Sequence, residues 1–234
     1  MKRYIFDVDG TLTPSRQPMN DAFKEWFLDW AQGKNVYLVT GSDRDKTVEQ
    51  VGEDVYNAVT RVYNCSGNDV WEGNDHIRTT TWRLPEPAHE WLSERLTESE
   101  FELRTGNHFE HRPGLVNFSI VGRNAEIDER EQYIQWDKRT NERVNIARKF
   151  NTLFPSITAK VGGETGLDIS ELGADKSQIA NDFDADDDLC FFGDDMAPTG
   201  NDYPLYRTIV DEHRGFVYTV KDYNETWNLL QYGK

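Results

Sequence analysis

The opening of the chain, Tyr4-Ile5-Phe6-Asp7-Val8-Asp9-Gly10-Thr11-Leu12-Thr13-Pro14, constrains its fold more than any other stretch. Three apolar or aromatic residues run directly into two carboxylates one residue apart, followed by glycine and threonine. A buried strand ending in Asp-x-Asp delivers Asp7 and Asp9 to the carboxyl edge of a sheet, where open α/β sheets bind ligands. Like charges so close raise each other's pKa, so the pair predicts a counter-ion or a chemical task. An Asp-x-Asp pair alone is common in solvated acidic loops. The apolar strand in front of it gives this one its specificity.

The rest of the chain sets that strand in an α/β frame. A stripe of Ala22, Phe23, Trp26, Phe27, Trp30 and Ala31, with Asn20 as N-cap, predicts a helix over 20–32. Strands are predicted at 3–8, 35–39 and 61–65, and Thr40-Gly41-Ser42-Asp43 turns into a further helix. This β-α-β-α-β order implies a parallel sheet with crossover helices. The pattern changes after about residue 80, where Leu84-Pro85-Glu86-Pro87 reads as a hinge. A helix at 88–97, short alternating segments near 107–111 and 115–121, polar helices over 126–137 and 140–153, and segments at 157–162 and 166–170 read as α+β with an antiparallel sheet. Parallel character returns at Asp188–Asp194, with last strands expected at 207–210 and 215–219 and a closing helix at 221–231. The expected architecture is α/β: a Rossmann-like core over 1–82 and 174–234, interrupted by an inserted α+β cap over 83–173. The acidic run Asp182–Asp188 reads as a solvated loop, since it lacks the glycine and distal glutamate of a calcium-binding loop.

Composition narrows the function. A formal charge of −16 repels the phosphate backbone of nucleic acid, and it obliges any site for an anionic substrate to gather basic residues locally. Hydrophobic residues are only 37%, but 7 Trp, 10 Tyr and 12 Phe supply enough apolar area for a real core. No apolar run approaches the roughly 20 residues of a membrane span, and no signal peptide is recognisable. Cys65 and Cys190 lie in apolar, strand-like segments and are expected as buried thiols, which suits a reducing cytoplasm.

Phosphoryl transfer needs a nucleophile, a proton shuttle, a metal, and donors on the phosphate oxygens. Asp7 and Asp9 supply the first two roles. Ser42 offers a hydroxyl at a helix N-terminus, or serves as a helix cap. Lys176, after Gly173-Ala174-Asp175, would neutralise charge on Asp7 and the phosphate. Gly193-Asp194-Asp195 adds a carboxylate for magnesium, with Asn201-Asp202 shortly after. The order and spacing of these pieces resemble the four motifs of the haloacid-dehalogenase superfamily.

A closer resemblance is to the eukaryotic-type phosphomannomutases. Asp7–Gln17 resembles their opening, with Arg16 after the Thr-Pro; Gly41-Ser42-Asp43 with Lys46, Glu49-Gln50 and Gly52 resembles their second motif. Arg112-Pro113-Gly114-Leu115-Val116-Asn117-Phe118-Ser119 and Gly122-Arg123 resemble their substrate-binding hairpin, and Arg130 follows at the family spacing. Gly162-Gly163 with Asp168, Asp175-Lys176, Phe191–Asp194 and Gly200-Asn201-Asp202-Tyr203 complete the series. The resemblance implies catalytic roles for Asp7, Asp9, Ser42 and Lys176. It implies magnesium held by Asp7, Asp194 and Asp9, the last through its backbone carbonyl, and hexose 1,6-bisphosphate as activator. Arg112, Arg123 and Arg130 would grip the distal phosphate, joined by Arg16 from the core side, while Asp168 and Asn117 would bind sugar hydroxyls. A homodimer through the cap is implied as well. The chain departs from the family in carrying Gly166 where a serine is usual, Asp195 where a lysine or similar is usual, and a shorter early cap. The rival expectations are a sugar-phosphate phosphatase on the same core and a non-catalytic binding module.

Overall fold

The opening apolar run becomes β1 (Lys2–Phe6), with Ile5 and Phe6 fully buried. In the computed structural model, which describes residues 1–233, β1 belongs to a unit built from residues 1–79 and the segment from Gly173 onward. It is followed by α1 (Asp21–Ala31), β2 (Asn35–Val39), α2 (Arg44–Val51), α3 (Glu53–Ala58) and β3 (Arg61–Asn64), then by a hairpin, β4 (Asp69–Glu72) and β5 (Asp75–Thr79). The chain returns to this unit through a 3-10 helix (Lys176–Asp182), β10 (Asp188–Gly193), α7 (Tyr203–Asp211), β11 (Gly215–Thr219) and α8 (Tyr223–Tyr232).

The seven strands lie in the order β11-β10-β1-β2-β3-β4-β5. The first five are parallel, and the hairpin adds antiparallel strands at one edge. Phe6 pairs with both Phe192 and Leu38. The parallel register therefore brings the residues after β1, β2 and β10 to one edge. Helix α1 forms as its stripe predicts: Asn20 accepts from the Phe23 amide at 3.1 Å, and Phe23, Phe27 and Ala31 are buried. Each such phenylalanine contributes about 1.5–3 kcal/mol by burial.

The expected strand at 207–210 is instead part of α7. Pro204 sits in its first turn, where its missing N–H costs nothing, and Leu205 and Ile209 are both buried, four residues apart. The acidic run is less solvated than expected. Asp182 pairs with Arg61 (3.4 Å) and Arg78 (2.8 Å), and Asp187 with Arg3 (3.0 Å) and the terminal amine (3.1 Å). Cys65 and Cys190 are both buried thiols. No helix among the described residues is long and apolar enough to cross a membrane.

The second unit is residues 80–172, against the expected 83–173. It holds α4 (Glu86–Glu98), β6 (Phe109–Arg112), β7 (Leu115–Phe118), α5 (Ile127–Thr140), α6 (Glu142–Leu153), β8 (Ile157–Gly162) and β9 (Gly166–Glu171). The expected hinge belongs to the unit itself: Leu84 is in its core and Pro85 precedes α4 as N-cap. Its four strands form an antiparallel sheet in the order β6-β7-β9-β8. Strand alternation gives this sheet two unlike faces. Val116, Phe118, Leu167, Ile169 and Ala159 are buried in one cluster with Leu92, Tyr133, Ile146 and Phe150 of the helices. The opposite face carries a polar row, in which Glu110 pairs with Asn117, Asn117 with Asp168, and Asp168 with Lys160.

Candidate active site

In the core unit, Asp7 is placed directly after β1, its amide donating to the Phe192 carbonyl at 2.9 Å. The loop that follows folds back on itself, with the amides of Leu12 and Thr13 both donating to the Val8 carbonyl at 3.0 Å. Gly10 has φ +76°, and a Cβ there would run into the Asp194 carboxylate. Only glycine lets the loop lie against that acid.

Lys176 is fully buried, and its ammonium bonds to Asp7 Oδ1 and, at 2.7 Å, to Asp202 Oδ1. Asp202 is itself fully buried and receives the Asp195 amide on Oδ2 at 3.1 Å. Asp7, Asp194 and Asp202 each present a carboxylate oxygen, and the three oxygens lie within 4.8 Å of one another.

Three carboxylates against one ammonium leave negative charge in excess, and the titration of the groups reflects it. Burial pushes the Asp7 carboxyl up; Asp202 and Asp194 push the same way, and the opposing pull of Lys176 does not cancel them. Burial works against the Lys176 ammonium, but Asp7 and Asp202 outweigh it and hold the charge. Asp194 is raised by loss of solvation and then by Asp202. An all-oxygen set with surplus negative charge, one member of it exposed, is the donor chemistry that hard divalent cations take. The residues present therefore fit a magnesium ion held by Asp7 and Asp194, with Asp202 beside them.

The Asp9 carboxylate is not a member of this trio. Its Oδ1 accepts from the Arg16 amide at 2.6 Å and from Gln50 Nε2 at 2.9 Å. Gln50 is buried at the end of α2. Ser42 is not the helix cap. Asp43 caps α2 by accepting from the Lys46 amide at 3.0 Å, while the Ser42 carbonyl accepts from the Cys65 amide at 2.8 Å. Asp195 is not a member of the acid trio, and its Oδ2 accepts from the Asn201 amide at 3.3 Å, closing the 195–202 loop. Arg16 is exposed, at φ +57°.

The remaining expected residues lie in the cap unit. Arg112 and Arg123 share one carboxylate. Glu110 Oε1 accepts from Arg112 Nε (3.1 Å) and Nη2 (3.0 Å), and Glu110 Oε2 accepts from Arg123 Nε (2.5 Å). Arg130, on α5, pairs separately with Glu164 at 3.3 Å. Asn117 Nδ2 donates to Asp168 Oδ1 at 2.6 Å. Gly166 leaves the room for this contact, since a Cβ there would stand 2.5 Å from Asn117 Nδ2.

Three members of these constellations escape assignment from sequence. Asp202 stands in a quoted motif without a role, because only the fold reveals that it faces Lys176. Gln50 carries the same kind of signal, within the α2 motif. Glu110 is one of 42 acidic residues, and its only mark is its place two residues before Arg112 on the same strand face.

Comparison with known proteins extends the geometry. The Saccharomyces cerevisiae phosphomannomutase is 28% identical over 238 residues, 96% of this chain and 94% of the relative. The Drosophila melanogaster phosphomannomutase is 29% identical over 234 residues, 93% of this chain and 91% of the relative. Among solved structures, a haloacid dehalogenase-like hydrolase from Bacteroides thetaiotaomicron superposes with a TM-score of 0.62 at 14% identity, over 98% of both chains. A trehalose-6-phosphate phosphatase from Aspergillus fumigatus gives 0.58 at 14% identity, over 98% of this chain and 91% of the other. These structural likenesses establish the haloacid-dehalogenase-like fold of a parallel core with an inserted antiparallel cap. The sequence profile described as eukaryotic phosphomannomutase matches residues 23–232. On that match, this chain belongs to the eukaryotic phosphomannomutase family.

Proposed function

We propose that this chain interconverts mannose 1-phosphate and mannose 6-phosphate through a phosphorylated Asp7. The observation that carries the proposal is the buried Asp7–Lys176–Asp202 network beside Asp194, in a chain whose cap also presents paired arginines. A nucleophilic carboxylate is useful only when ionised, and an ammonium locked against it favours that form. Bound Mg²⁺ would add positive charge that ionises Asp7 and offsets the charge of the entering phosphate.

Asp7 attacks the phosphorus of a hexose 1,6-bisphosphate, the phosphorus–sugar oxygen bond breaks, and Asp9 gives its proton to the departing oxygen. Hexose monophosphate leaves and the substrate monophosphate enters with its free hydroxyl toward Asp7. Asp9 takes the hydroxyl proton as that oxygen attacks the phosphoryl group, and the acyl phosphate bond breaks, regenerating Asp7. The bisphosphate so formed reverses its orientation and donates its other phosphoryl group to Asp7. Arg112, Arg123 and Arg130 are assigned the phosphate that is not reacting, and Asp168, held by Asn117, is assigned to sugar hydroxyls.

A phosphatase would hand the phosphoryl group of Asp7 to water instead. A paired assay with mannose 1-phosphate, Mg²⁺ and a trace of hexose 1,6-bisphosphate separates the two. Mannose 6-phosphate forming far faster than free phosphate is the expected result, and free phosphate with little isomer would overturn the mutase. Asp7→Asn should abolish turnover in either assay; activity surviving that change would remove Asp7 as nucleophile.

A further inference from the structure

Arg112 and Arg123 reach the same glutamate from different parts of the cap. Arg112 ends β6, while Arg123 lies beyond β7, its backbone N–H donating to the Asn107 carbonyl at 3.1 Å. Glu110 joins them, one carboxylate oxygen to each. The contacts consume Nε and one terminal nitrogen of Arg112 but only Nε of Arg123. The outer N–H groups of both guanidiniums stay available for a second anion. All three side chains are partly shielded, at 31%, 28% and 26% exposure for Glu110, Arg112 and Arg123. Burial opposes ionisation of Glu110, but Arg112 and then Arg123 outweigh it and hold the carboxyl below its usual range. Glu110 also stands directly across from Asn117 in the polar row that continues to Asp168. It thus lies on the same sheet face as the residues assigned to the sugar.

We propose that Glu110 is a positioning residue that clamps Arg112 and Arg123 into one phosphate-binding fork and competes with the phosphate for them. The proposal rests on the reading of these arginines as the grip on the non-reacting phosphate. The two effects have opposite signs. As a spacer, Glu110 spares the incoming phosphate the entropy of ordering two long side chains. As a charge, it cancels one of the two positive charges and loosens the grip. A grip of limited strength suits a reaction whose bisphosphate must let go and turn round between transfers.

Two substitutions weight the two roles differently. Glu110→Gln keeps the length but removes the charge and one of the two acceptors, so that loss of the charge dominates; Glu110→Asp keeps the charge but cannot span both guanidiniums. Each is made in an Asp7→Asn background of the full chain, so that ligand is not turned over, and thermal melts confirm folding. Calorimetry with mannose 6-phosphate is the readout, with unphosphorylated mannose as control. Glu110→Gln should lower Kd about fivefold, the size of a partly shielded ion pair, and Glu110→Asp should raise it by a similar factor. Shifts of the same sign in both variants, or none in either, would overturn the proposal. Should Glu110→Gln fail to fold, Glu110→Asp decides alone, and an unchanged Kd overturns the clamp. A parent that binds mannose 6-phosphate no better than mannose overturns the phosphate grip and the clamp with it. Opposed shifts without isomer formation in the paired assay overturn only the mutase reading.

Discussion

Asp9 keeps one carboxylate oxygen tied, to Gln50 and the Arg16 amide, while its Oδ2 has no hydrogen-bond partner among the described residues. A proton shuttle needs this division, one oxygen fixed for aim and one open for transfer. Gln50→Leu should therefore lower kcat on the order of tenfold, a fraction of the ~10²–10⁴ that a general acid–base group contributes, with little change in KM. Steady-state kinetics checks this, and a change confined to KM would remove Gln50 from the aiming of Asp9. Asp9 itself is legible from the Asp-x-Asp spacing. Its holder is not, because Gln50 lies 41 residues along the chain and meets it only once α2 packs.

At the scale of elements, the cap sheet packs Gly166 against Asn117. Asn117 fills the space above Gly166 and donates to Asp168, so the glycine and the amide work as a pair. Gly166→Ala should destabilise the protein by about 1–3 kcal/mol through overpacking. In a background already carrying Asn117→Ala, the same change should cost much less, a non-additivity expected of contacting residues. Urea denaturation of the four proteins of that cycle is the test; additive costs would mean the two sites do not touch. The alternation that creates the polar face was legible because Val116, Phe118, Leu167 and Ile169 follow a period of two. The segment 207–210 misleads for a related reason. Thr208-Ile209-Val210 is β-branched and looks like a strand, but Leu205 and Ile209 both face the core, and burial four residues apart selects a helix. The hairpin β4–β5 is not legible in the sequence because β5 is exposed throughout, so its pairing leaves no apolar pattern.

For the whole molecule, the excess of acid in the core makes stability depend on pH and on divalent cations together. The Asp7 carboxyl is raised in the folded chain, so its contribution to stability is fully present below its unfolded value of 3.8 and is lost as pH rises through the higher folded value. A cation that binds only the folded trio reverses this loss by mass action. Millimolar Mg²⁺ should raise Tm more at pH 8 than at pH 5, chelator should remove the gain, and Asp194→Asn should abolish most of it. Sodium chloride at equal ionic strength separates site binding from general screening of a chain with charge −16. An equal rise at both pH values would place the ion elsewhere. The discontinuity of the core has a consequence for how the protein is made. On the ribosome, β1 emerges before β10 and cannot gain this neighbour until Asp188–Gly193 has been translated. The contiguous segment 80–172 is synthesised before β10 and can fold without it. The acids of the trio are thus assembled only after the cap has been translated, and a nascent chain halted after the cap holds Asp7 without the lysine that pairs with it.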